Sequence, residues 1–102
     1  MMDKWVFIDP PETSVVTTKQ VTNSEYPVLY VSHELDEDGE TVWQFLCLVV
    51  PFSMEDAQLV RLDTIVNIDN TLREVADLPL GYAATRDFAS GPWKRFKDST
   101  EG

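Results

Sequence analysis

The chain has one cysteine, one histidine, four glycines and only eight basic residues among its 102. Each scarcity excludes something. A lone Cys47 builds no intrachain disulfide framework, and with His33 it falls short of the four ligands of a structural zinc site. Four glycines, one of them terminal, leave no glycine-rich loop to cradle a phosphate. The longest apolar run, "FLCLVVPF" (45–52), has eight residues, against the roughly 20 of a membrane-spanning helix. The start, "MMDKWVFIDPPET", has acids and a Pro-Pro break where a secretory signal has a basic start and a long apolar stretch, so the expected location is the cytoplasm.

What remains is apolar enough to fold. Hydrophobic residues make up 43% and aromatics 11%, sufficient for one core and too many for a disordered chain. A single domain over 1–102 is expected, with 1–12 as an N-terminal arm or short strand and 97–102 as a frayed tail. The net charge is −10, and it is unevenly placed: from Glu34 to Asp77 eleven acids face two bases, while the remainder carries seven acids and six bases. Such a field repels nucleic acid phosphates. It serves either as a solubilising surface or as an electrostatic face for a basic partner.

The local patterns give an element order. "SVVTTKQV" (14–21) reads as a strand, "TNSE" (22–25) as turn material, and "YPVLYVSHEL" (26–35) as a central strand. "DEDGE" (36–40) then joins it to "TVWQFLCLVV" (41–50) as a hairpin, since Asp38-Gly39 supplies a positive-φ position, and Pro51 ends the second strand. "SMEDAQ" (53–58) opens like a short helix with acids in its first turn. In "RLDTIVNIDN" (61–70), Leu62, Ile65 and Val66 share a helical face, as do Leu72, Val75 and Ala76 further on. Between them Asn67, Asp69 and Asn70 end one helix and begin another; Thr71 with Glu74 forms a capping-box pattern, and Asp69 or Asn70 is the alternative cap. Tyr82–Arg86 and "WKRF" (93–96) close the chain as two strands. The fold class is therefore α+β: an antiparallel sheet with a central hairpin and two or three short helices packed on one face.

Catalytic chemistry is hard to assemble from these residues. "DEDGE" lacks the alternating ligands and distant bidentate Glu of a calcium loop. Cys47 sits in an apolar strand, where burial keeps a thiol inert. Ser32 and His33 are strand neighbours and point to opposite faces, so they form no nucleophile–base pair. "WKRFK" (93–97) is the only basic cluster, and a sheet edge with a solvated basic face explains it. No metal, no cofactor and no enzymatic activity are expected. The candidate contacts for a basic partner are Asp36, Glu37, Asp38 and Glu40 in the hairpin, with Glu55 and Asp56.

A second pattern runs through the C-terminal half: Leu62, Thr64 and Ile65, the polar break at Asn67 and Asp69, Leu72, Pro79 and Gly81, then Arg86 and Trp93 before basic residues. With "VTTKQVTNSEYPVLYVSHE" (16–34), it resembles a small bacterial domain family of unknown function, part of which is classed as immunity proteins of polymorphic toxin systems. Asn70 stands where members often have proline. The resemblance implies an α+β fold and, for some members, binding and neutralising a toxin.

Together these observations favour a non-enzymatic, cytoplasmic, immunity-like binding protein that occludes a basic partner, such as a toxin, through an acidic face. The alternative is an accessory or structural interaction domain, as a monomer or a homodimer, whose acidity serves solubility only. A third reading is a small-ligand binder or enzyme using a cleft between sheet and helices.

Overall fold

The computed structural model describes residues 5–35, 37–47 and 54–97. It has six strands: β1 Ser14–Thr18, β2 Tyr30–Leu35, β3 Thr41–Leu46, β4 Ala57–Arg61, β5 Tyr82–Thr85 and β6 Lys94–Lys97. Helix α1 (Lys19–Thr22) follows β1, and α2 (Leu62–Ile68) follows β4. Short 3-10 segments cover Met54–Asp56 and Asn70–Val75. The strands form one sheet in the order β4-β1-β3-β2-β5-β6.

The α+β class holds, and the hairpin lies centrally. β2 and β3 pair antiparallel from Tyr30↔Leu46 to Leu35↔Thr41, and Gly39 takes φ 83° in the loop between them. Asp36, in that loop, lies outside the described residues, as do Pro51 and Ser53. The helices pack on one face. Val15 and Thr17 of β1, Val31 of β2, Trp43 and Phe45 of β3 and Ala84 of β5 alternate onto that side. Val21, Leu62, Ile65, Val66, Leu72 and Val75 meet them there in one core cluster. Each such aliphatic or aromatic side chain contributes about 1.5–3 kcal/mol on burial.

Five expectations need correction. The first strand stops at Thr18, and Lys19–Thr22 is helical. Strand alternation places Val15 and Thr17 inward, so a continued strand would also have turned Lys19 into the core. The helical turn leaves Lys19 exposed and still buries Val21. The second strand begins at Tyr30, not at Tyr26.

"AQLVR" (57–61) is a strand, although Ala, Gln, Leu and Arg all favour helix. Five register pairs with β1, from Ser14↔Arg61 to Thr18↔Ala57, override that propensity. The helix expected over 53–58 is reduced to the 3-10 turn Met54–Asp56.

The sheet is also not wholly antiparallel, because β1 runs parallel to β3 at Val16↔Gln44. Finally, Lys97 belongs to β6 and not to a tail.

The N-terminal segment is an arm and not a strand. Phe7 is buried, packing edge-on against Trp43 at 5.2 Å between ring centroids. The Asp9 carboxylate accepts a hydrogen bond from the Trp43 indole N–H at 2.8 Å, and the Asp9 carbonyl accepts one from Trp5 at 2.8 Å.

Candidate functional site

The polar break after α2 bends the chain, as its composition predicts. α2 ends at Ile68, and Asp69 takes an extended conformation (φ −142°, ψ 97°). Its carboxylate caps the following 3-10 segment by accepting the Thr71 backbone N–H at 3.0 Å and the Thr71 hydroxyl. Asp69, and not Thr71, is the cap; Asn67 and Asn70 are exposed.

Asp69 does more than cap. Its Oδ2 accepts from Arg86 Nη2 at 2.7 Å, and the Arg86 side chain is fully buried. Arg86 also donates to the Val28 carbonyl at 3.0 Å and to the Thr71 hydroxyl at 2.8 Å. The Trp93 ring covers the guanidinium at 4.2 Å. Asp69, Arg86 and Trp93, which are widely spaced in the sequence pattern, thus converge on one interior clasp. It ties the 3-10 segment to the end of β5, the start of β2 and the approach to β6. Every polar group of the guanidinium fork that meets Asp69, Thr71 or Val28 is engaged in holding the chain together.

Beside this clasp lies a cleft of about 380 Å³. Tyr26, Pro27 and Ile68 supply apolar wall, and Glu25, Asp69 and Ser90 supply polar wall. Two of its rims carry non-glycine residues with positive φ, Ser24 at 61° and Ser90 at 68°. Ser24 follows the end of α1 and donates its N–H to the Val21 carbonyl at 2.9 Å, a left-handed helix termination. Ser90 is the third residue of the turn closed by Gly91 N–H to the Phe88 carbonyl at 2.9 Å. The sequence gives "TNSE" only as turn material; the polar residues flanking Tyr26-Pro27 were the available sign of this rim.

The candidate acids do not share one surface. Glu37, Asp38 and Glu40 are exposed at the β2–β3 loop. Glu55 and Asp56 precede Ala57, which pairs with Thr18 at the other end of the strands. Carried through Val16↔Gln44, the separation is five strand positions, about 16 Å at roughly 3.3 Å each. Asp56 is partly committed within the chain: it accepts from the Gln20 amide at 2.9 Å and faces Lys19 at 3.3 Å. The Gln20 hydrogen bond holds its carboxyl below the usual carboxylate range, with Lys19 acting in the same direction and desolvation against it.

Other ion pairs follow the same logic. Arg61 grips Asp63 through Nε at 3.0 Å and Nη2 at 2.9 Å, which lowers the Asp63 pKa and raises that of Arg61. Arg95 donates to Asp77 at 2.7 Å and likewise holds that carboxyl low.

His33 and Ser32 lie on opposite faces of β2, as strand alternation requires. His33 sits opposite Trp43 and stacks on it at 4.0 Å, while Nδ1 meets the Leu78 carbonyl at 2.9 Å. A carbonyl only accepts, so Nδ1 carries the proton. Cys47 is buried. Among the described residues no group of three or more His, Cys, Asp or Glu is placed to hold a metal ion, and no helix is long and apolar enough to cross a membrane. The chain matches no protein-family model, no curated protein and no solved structure.

Proposed function

We propose that the chain is a non-enzymatic, cytoplasmic binding protein of the immunity type, occluding a basic protein partner such as a toxin with its acidic surface. The observation that carries this reading is how the chain uses its cations. Lys19, Arg61, Arg86, Lys94 and Arg95 each lie within 4 Å of an aspartate, at 2.7–3.7 Å. These five pairs cancel internally, so they take no part in the net charge of −10. Glu37, Asp38 and Glu40 place three acidic side chains on an exposed loop at one end of the sheet. Opposite charge on a partner's groove would raise the rate of encounter. The sole histidine supports a non-catalytic role, since it is held between Trp43 and the Leu78 carbonyl.

The test is capture from the host's own extract on immobilised chain, with the variant Glu37→Gln/Asp38→Asn/Glu40→Gln as comparator, at low and high salt. A basic protein retained by the wild type at low salt, and reduced on the variant, supports the reading. Equal retention by both proteins, or none by either, favours an accessory domain whose acidity serves solubility. The cleft favours a second reading, a small-ligand binder, because about 380 Å³ with a mixed polar and apolar lining lies within the size range of ligand sites. Retention of small molecules through native mass spectrometry would separate the two.

A further inference from the structure

The two edges of the sheet are built differently. β6, at one edge, reads Lys94-Arg95-Phe96-Lys97, with all four residues exposed. A row of like charges is how proteins keep an edge from pairing with another chain. β4, at the other edge, reads Ala57-Gln58-Leu59-Val60-Arg61 and has a charge only at its last position. Among the described residues it pairs with β1 alone. Leu59, at its centre, is 72% exposed.

The hydrogen-bond phase of β4 is fixed by its neighbour. Leu62 N–H donates to the Thr13 carbonyl at 2.8 Å, one step beyond the Ser14↔Arg61 pair. In an antiparallel ladder hydrogen-bonded pairs alternate, so Val60 opposite Val15 and Gln58 opposite Thr17 direct their backbone groups toward β1. Leu59 therefore directs its N–H and C=O away from the sheet, as do its alternate neighbours Ala57 and Arg61. That outward edge is complementary to itself. Two copies laid antiparallel about Leu59 exchange a reciprocal pair of N–H···O=C bonds at Leu59, and Ala57 of each meets Arg61 of the other.

We propose that the β4 edge is a homodimer interface, in which two copies of this chain join through β4 about a two-fold axis at Leu59 into one continuous sheet. A symmetric closed contact of this kind ends at two copies, because β6 at each outer edge is guarded by its cations. The pairing is independent of the basic-partner reading. It predicts that Leu59 is covered in solution by its own counterpart.

The test is mass by sedimentation velocity or light scattering across micromolar to hundreds-of-micromolar concentrations, on the full chain. Wild type is expected to approach twice the 11.6 kDa of one chain at the upper end. Leu59→Lys places two cations directly opposite each other at the axis, and should weaken dimerisation at least tenfold with an unchanged far-UV spectrum. Wild type that stays at the monomer mass throughout overturns the proposal. So does a dimer indifferent to Leu59→Lys, because its interface would then lie elsewhere.

Discussion

Arg86 donates to Asp69 at 2.7 Å from a side chain with no exposure to solvent, while Asp69 remains 18% exposed. This pair makes the polar break something other than an ordinary helix boundary. A cap alone contributes about 0.5–2 kcal/mol. A buried charge left without its partner costs more, about 3–5 kcal/mol. Asp69→Ala should therefore destabilise the fold by about 3–5 kcal/mol in urea denaturation. Asn67→Ala and Asn70→Ala, on exposed side chains, should stay within about 0.5 kcal/mol of wild type. A loss at Asp69 no larger than an ordinary cap would mean that Arg86 finds solvent or another acceptor when the carboxylate is gone.

The sequence shows part of this clasp. The bend at Asp69 is legible because Asn and Asp bond the local backbone, a property carried by a few adjacent residues. The hairpin is legible for the same reason, since Asp38-Gly39 and two apolar strands are contiguous. Arg86 and Trp93 stand out in the pattern as single residues, yet their meeting with Asp69 depends on how β2, β5 and β6 are ordered, and no local signal encodes that. The β4 strand fails from the other direction: "AQLVR" has a helical composition, and its strand state comes from register with β1. The parallel β1–β3 contact is also long-range. In the sequence the six candidate acids share nothing but charge, and strand direction places the hairpin and Glu55–Asp56 at opposite ends.

Trp93 makes a prediction of its own. Its ring lies 4.2 Å over a desolvated guanidinium, where a cation–π contact is worth about 2 kcal/mol or more, against about 0.5–1 at exposed sites. Trp93→Leu should therefore cost at least about 2 kcal/mol, and Trp93→Phe should recover part of that loss. The indole N–H has no hydrogen-bond partner among the described residues, so its removal adds no penalty. Equal losses for Leu and Phe would show that ring volume, and not the π face, is what Arg86 needs.

Acid should reveal the surface pairs. Hydrogen bonds hold the carboxyls of Asp56, Asp63 and Asp77 low, from Gln20, Arg61 and Arg95 respectively. A carboxyl with a depressed folded pKa binds its proton less readily in the folded state than in the unfolded chain. Its stabilisation is complete above the unfolded value, roughly pH 4, and disappears as pH falls through the folded one. Melting temperature should thus fall below about pH 4, and Asp77→Asn should flatten that fall slightly. The effect should be modest because these pairs are exposed and screened. A melting curve for Asp77→Asn that runs parallel to wild type from pH 6 to pH 2 would remove Asp77 from the acid response.

The hairpin acids carry the functional proposal, and association kinetics test them. Glu37, Asp38 and Glu40 are exposed, and Asp36 beside them lies outside the described residues. If they steer a basic partner, neutralising all four slows association at low salt, and added salt slows the wild type more than the variant. The Debye length, about 10 Å at 0.1 M, sets where that convergence occurs. Dissociation should change less, because rim charges act on encounter while buried contacts set residence. The substitutions can leave the turn intact. Gly39 alone in the loop's described residues has positive φ, and Asp38→Asn keeps a residue suited to turns. Asp36→Asn, Glu37→Gln and Glu40→Gln complete the set. The measurement is the on-rate for a captured partner by stopped flow or surface resonance, for both proteins, at two ionic strengths. A tenfold or larger gap at low salt that closes at high salt supports steering. Equal on-rates at low salt would make the hairpin an ordinary solubilising surface and move the question to Glu55 and Asp56. These lie at the opposite end of the sheet, and Asp56 is already shared with Gln20 and Lys19.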